Sequence, residues 1–174
     1  MIGRRKLEHE EGEKDHTLDL RETDLRGAYL RDARLEGANL WSARLEGANL
    51  MGARLERADL RYTRLERTTL VEARLEEAHL RGARLEGAHF EVARLEGGNL
   101  VRARLERADL QGAGLEGAHL EGADLRYAIN LTRDQVESAH CYTKKQLPED
   151  LRNLADLEDR PHDVDESHQT EAEA

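Results

Sequence analysis

The chain has 174 residues, of which 37% are charged and 3% aromatic, with a formal net charge of −10. So few aromatics and so much charge exclude a conventional globular core, and no stretch nears the roughly 18 apolar residues of a membrane helix. The single cysteine, Cys141, excludes an internal disulfide and points to a reducing compartment.

Residues 1–17 read as a polar N-terminal tail. They lack the apolar stretch of a secretory signal, so the expectation is a cytoplasmic protein. From Leu20 to Leu125, Leu then stands at every fifth position, with Phe90 the one substitution, which makes 22 consecutive units. Ala precedes most of these leucines by two residues; Leu18, Thr23, Thr63, Thr68 and Gly98 are the exceptions.

A helix does not explain this spacing. Five residues at about 100° each rotate the leucine by about 140°, so the apolar positions would spiral around the axis. Extended backbone does explain it. Ala33 and Leu35 then share the inner side while Arg34 and Glu36 face outward. Gly37, Gly47, Gly87, Gly97 and Gly117, each two residues after a Leu, mark the corners. One such unit buries almost nothing, so the units must wind into a solenoid of stacked coils.

Ala38-Asn39-Leu40, Ala48-Asn49-Leu50, Ala58-Asp59-Leu60, Ala108-Asp109-Leu110 and Ala123-Asp124-Leu125 carry the motif A(D/N)LXX. Over residues 18–130 the chain resembles the pentapeptide-repeat family. That resemblance implies an all-β solenoid, a right-handed quadrilateral β-helix with four units per coil and about 5.5 coils, roughly 26 Å of rod. Charge patterning alone does not choose four sides. With 20 residues per coil, Arg34, Arg54, Arg74 and Arg94 fall in one column, and Arg44, Arg64, Arg84 and Arg104 in the opposite one. A 15-residue coil would instead mix Arg with Asn and His. In the four-sided form each Arg is expected to pair sideways with the Glu two residues on, with like charges repeating along each column.

The body is nearly neutral, with 18 Arg against 20 Asp or Glu in residues 18–130. By face, the two Arg-rich sides carry −1 and +2, the Trp41 side 0 and the Met51 side −3. Trp41 would lie between Arg21 and Arg61 in its column, where a cation–π stack is expected.

The register breaks at Asn130-Leu131, and Thr132-Arg133-Asp134-Gln135 reads as a capping box opening a helix through about Ala139. A second helix is expected from Pro148, with Leu147, Leu151, Leu154 and Leu157 at helical spacing. Residues 131–158 thus form a short α-helical C-terminal cap, whose leucine stripe either covers the last coil or pairs two protomers as a homodimer. Residues 159–174 read as an acidic disordered tail.

No nucleophile, phosphate-loop or metal pattern appears, and a Leu-Ala interior leaves no pocket. His79 and His119 share a column two coils apart, too far for one zinc, and no cofactor is implied. The expected function is a non-catalytic protein-interaction scaffold whose candidate surface is Trp41, Met51, Val71 and Val92. The family resemblance adds an alternative, a DNA-mimicking inhibitor of DNA gyrase that gives quinolone protection, with a type II topoisomerase as partner. Its candidate acidic face is Asp32, Glu72, Glu91 and Asp109. Direct nucleic-acid binding is not expected, because Glu columns cancel the Arg columns and no aromatic stacking platform exists.

Overall fold

The computed structural model describes residues 17–140, 142, 143 and 146–153. The tail expectations for 1–16 and 159–174, together with Leu154 and Leu157, lie outside these residues.

Each five-residue unit has one bridge residue, the outward residue between Ala and Leu, followed by a two-residue turn. The bridges are all parallel and join positions one coil apart, from Asp19↔Asn39 to Asp109↔Ile129. A coil is therefore four units and 20 residues. Its four sides are named here by a resident: the Trp41 side (units 38–42, 58–62 and so on), the Arg44 side (43–47), the Met51 side (48–52) and the Arg34 side (53–57).

Three backbone hydrogen bonds per unit hold one coil to the next. For the unit at Leu40, the N–H of Leu40 donates to Asp59 O at 2.8 Å, Ser42 N to Arg61 O at 3.0 Å, and Asn39 N back to Leu18 O at 2.9 Å. Each corner is a turn closed by the N–H of the next Ala on the Leu carbonyl, as in Ala38 N to Leu35 O at 3.0 Å. Its second central residue has positive φ, which makes glycine the unstrained choice. Gly47 sits there at φ 68°, but Ser42, Arg57 and Tyr62 adopt 54–59° at the same position. The corner thus tolerates side chains that the glycine pattern alone would not suggest.

The motif's Asp or Asn has a local use. Asn39 Oδ1 accepts from Trp41 N, Asn49 Oδ1 from Met51 N, and Asn99 Oδ1 from Val101 N, at 3.0–3.2 Å. The first turn N–H would otherwise have no partner, and a short side-chain acceptor two residues back satisfies it. The unit Asp-Leu-Arg extends this device. Asp59 accepts from Arg61 N and also takes two bonds from its guanidinium, Nε at 2.8 Å and an Nη at 2.6 Å.

The interior is a stack of Leu and Ala that is almost wholly buried from Leu35 onward, with Phe90 filling one Leu position. Two departures from Ala are explained by hydrogen bonds inside this apolar stack. Thr63 Oγ1 donates to Leu60 O at 2.6 Å, and Thr68 Oγ1 to Leu45 O at 2.8 Å. A buried hydroxyl without such a partner would cost a few kcal/mol, on the order of 2.

After Asn130 the chain forms α1 (Arg133–Ser138) and α2 (Glu149–Arg152). Thr132 and Gln135 make the reciprocal capping box. Gln135 Nε2 then donates to Leu110 O and Ala113 O, both at 2.8 Å, and Leu125 N donates to Gln146 O at 2.9 Å. Edge groups of the last coil are satisfied in this way. Leu131, Val136, Leu147 and Leu151 join the same buried cluster as the coil leucines. Among the described residues no helix is long and apolar enough to cross a membrane.

Candidate functional site

With the interior filled, whatever this protein recognises must meet its sides. The two Arg-rich sides differ from the sequence expectation in how their charges pair. Arg74 reaches Glu56 of the preceding coil at 2.9 Å, but its own-coil Glu76 only at 3.7 Å. The same holds on the opposite side, where Arg84 lies 2.8 Å from Glu66 and 3.8 Å from Glu86. Sideways pairing is thus the longer contact, and the short one runs diagonally along the rod. The correction has a simple cause. In a column of arginines one coil apart, the preceding Glu is the anion that sits between two guanidinium groups, so the like-charge column is neutralised from within. These contacts are Coulombic more than hydrogen-bonded: Nε of Arg44, Arg54, Arg64, Arg74 and Arg84 is shielded from solvent yet lacks an aligned acceptor. Within these columns the charges are therefore answered by one another.

The Asp-Leu-Arg pairs are also closed. The Arg26 guanidinium and backbone N–H hold the Asp24 carboxyl at about 2, with Arg44 assisting from a greater distance. Hydrogen bonds from Arg61 and Arg126 lower Asp59 and Asp124 in the same direction.

The coil register separates the candidate surface residues. Met51 and Val71 are successive members of one column, half-buried, and Val92 is exposed at a corner of the same side, leaning over Gly112. Trp41 lies half a coil away on the opposite side. Arg21 and Arg61, its column neighbours, direct their guanidinium groups at Asp19 and Asp59. The alternative acidic set falls on the Met51 side too. Asp32 lies 3.4 Å from Arg31, Glu91 lies 3.4 Å from His89 Nδ1, and Asp109 accepts from Asn130 at 2.9 Å. One side thus combines an apolar strip with acids that outnumber its single Arg, a combination that neither residue set shows when read separately.

Sequence reasoning missed one juxtaposition. His119 does not meet His79; the segment after α1 instead brings the His140 ring to 4.8 Å from it, tilted by 53°, while Glu121 lies 3.4 Å from His119 Nδ1. The register break at Asn130 was the available signal, because it lets the chain fold back over the coil end. Among the described residues no group of three or more His, Cys, Asp or Glu is placed to hold a metal.

Comparison with known proteins agrees with this architecture. A family model described as pentapeptide repeats matches in 8 copies over residues 19–52, 48–87 and 88–126. Among curated proteins none matches. Among solved structures, the chain is similar to Rfr23, a pentapeptide repeat protein from the cyanobacterium Cyanothece 51142. The identity is 44% over 49% of this chain and 58% of that one, with a TM-score of 0.49. It is similar to trypsin-treated QnrB1, a plasmid-mediated fluoroquinolone resistance protein, at 19% identity over 67% of this chain and 54% of that one, TM-score 0.50. A pentapeptide repeat protein of the Arabidopsis thaliana thylakoid lumen shares 27% identity over 74% of this chain and 76% of that one, TM-score 0.33. The chain spans less than two thirds of the length of the first two structures, and the likeness to QnrB1 concerns the fold alone.

Proposed function

The chain belongs to the pentapeptide repeat family, and from that premise we propose that it is a non-catalytic scaffold that binds a protein partner through its Met51 side. The supporting observation is the clustering of Met51, Val71 and Val92 among Asp32, Glu72, Glu91 and Asp109 on the one side with a surplus of −3. The Trp41 side has no net charge, and the Arg and Glu columns of the Arg34 and Arg44 sides are tied into ion pairs. An apolar strip flanked by acids fits a partner surface of apolar residues rimmed by Lys or Arg. In this reading residues 18–130 are a right-handed quadrilateral rod and α1–α2 its C-terminal cap. Leu147 and Leu151 cover the last coil of the same protomer rather than pairing two copies. Trp41, on the opposite side, contributes little.

The test compares affinity capture from native cells by the wild-type protein, Met51→Ser/Val92→Ser and Trp41→Ala. Loss of a specific partner with the first variant and retention with the second is expected. The same partners captured equally by all three would sink the assignment of this side.

The acids on this side also favour a second reading, the gyrase-directed DNA mimic. Against it stands the neutral body, in which most Glu side chains already have Arg partners. A supercoiling assay with and without a quinolone decides it: protection that vanishes in Glu72→Gln/Asp109→Asn would support mimicry, and no effect at micromolar protein would end it.

A further inference from the structure

The Arg44 side carries the +2 surplus, and two residues account for all of it. Arg64, Arg84 and Arg104 are matched by Glu46, Glu66 and Glu86, and Asp24–Arg26 and Asp124–Arg126 close on themselves. Arg67 and Arg107, both exposed at corners, make no ion pair among the described residues. They stand two coils apart in one column with Gly87 between them. The missing β-carbon leaves room for the Arg67 stem, whose Cγ lies 3.7 Å from where that carbon would be. Tyr127, 70% exposed, is the next member of the column. These residues line an open groove of about 420 Å³, together with the paired Arg104 and Arg126 and the carboxylates of Glu86 and Glu106. Glu86 is matched by Arg104 at 2.9 Å and Glu106 lies 3.6 Å from the same guanidinium, so the groove keeps a cationic surplus at Arg67 and Arg107.

We infer that this groove holds an extended acidic segment, and that its occupant is the chain's own C-terminal stretch around Asp163–Glu166. Charge complementarity is the first support. Residues 154–174 contain eight acids and one Arg, and the groove offers two unpaired guanidinium groups. Spacing is the second. Two coils separate Arg67 from Arg107 by roughly 10 Å, and three residues of polyproline-II backbone advance about 9 Å and return to the same side. Asp163 and Glu166 are three apart, with Asp165 between them. Position is the third. The bond from Leu125 N to Gln146 O carries the chain across this same side one rung beyond Tyr127, just before α2. From Asn153 the ten residues to Asp163 reach up to roughly 33 Å, ample for a groove two to four coils away. Tethering also gives an effective concentration on the order of millimolar, which favours this segment over an acidic peptide in trans. The groove is thereby a side that the rod itself screens from anionic partners.

Replacing Val164 by the photo-crosslinker p-benzoylphenylalanine in the full chain tests this, with the attachment sites read by mass spectrometry. Intramolecular cross-links concentrated around Gly87, Arg107 and Tyr127 are expected. They should fall at least about fivefold in Arg67→Gln/Arg107→Gln or at 0.5 M NaCl, and persist in Arg67→Lys/Arg107→Lys. The charge swap, Arg67→Glu/Arg107→Glu with Asp163→Lys/Asp165→Lys/Glu166→Lys, should restore them. Cross-links spread over all four sides would overturn the inference. So would cross-links centred on Arg81 and Arg102 of the Trp41 side, ones formed only between two copies, or a yield unchanged in the Gln variant.

Discussion

Arg74 and Glu56 are 18 residues apart in sequence and 2.9 Å apart in space, whereas Arg74 and Glu76, two residues apart, are separated by 3.7 Å. The rod is therefore cross-braced between coils by charge as well as by backbone hydrogen bonds. This relationship decides which sides are left to recognise anything.

A pair of double-mutant cycles measures that bracing. The coupling between Arg74→Ala and Glu56→Ala should be about 0.5–1 kcal/mol, and that between Arg74→Ala and Glu76→Ala smaller, because both groups are partly solvated. Urea denaturation of the four variants in each cycle gives the numbers. Equal couplings would mean that the diagonal contact has no special weight.

Corner glycines differ in what they protect. Gly47 has open space beyond its α-carbon, whereas a β-carbon on Gly82 would meet the Tyr62 ring. Gly47→Ala should therefore cost about 1 kcal/mol from the left-handed backbone alone. Gly82→Ala should cost about 1 kcal/mol more from overpacking. In a Tyr62→Ala background that difference should disappear; thermal melts of the set would show it.

The buried threonines invite a polar-to-apolar comparison. Thr68→Val places a methyl group where the hydroxyl donates to Leu45 O, and should destabilise by about 1–3 kcal/mol. Thr68→Ala, which restores the residue found in most units, should cost less. Chemical denaturation that ranked Ala below Val in stability would contradict the role given to the hydroxyl.

Acid should loosen the rod over a defined window. Asp24 is held at about 2 against an ordinary 3.8, so between these values the folded chain binds fewer protons than the unfolded one. Stability therefore rises with pH across that window, and its contribution is lost as pH falls from about 4 to about 2. Asp59 and Asp124 act in the same sense. Melting temperature followed from pH 5 to pH 2 should drop. The drop should be shallower in Asp24→Asn, and an unchanged profile in that variant would remove Asp24 from the account.

The C-terminal segment is the last test. Leu147 is fully buried within its own chain, so Leu147→Ala should cost about 2–4 kcal/mol. Unfolding should begin at that end of the rod. Light scattering should give a monomer mass for both proteins; a wild-type dimer that Leu147→Ala dissociates would instead assign the leucines to pairing.

The repeat, the inner Ala and Leu, the turn after each Leu and the capping box at Thr132 are all legible in the sequence. Each of these is written in local spacing: alternation two residues apart puts residues on one side, and a five-residue period rules out a helix. Trp41, Met51, Val71 and Val92 could likewise be picked out as interruptions of a charged pattern. Everything set by contact between coils emerges only in the folded rod. The diagonal Arg74–Glu56 pairing, the Tyr62 ring over Gly82, the Thr68 hydroxyl on Leu45 O and the approach of His140 to His119 join residues 18–23 positions apart. Their geometry depends on how far each side chain leans along the axis, and a local pattern carries no record of that lean. The same contacts decide which charges are spent within the rod, and they leave a surplus on the Met51 side and at Arg67 and Arg107.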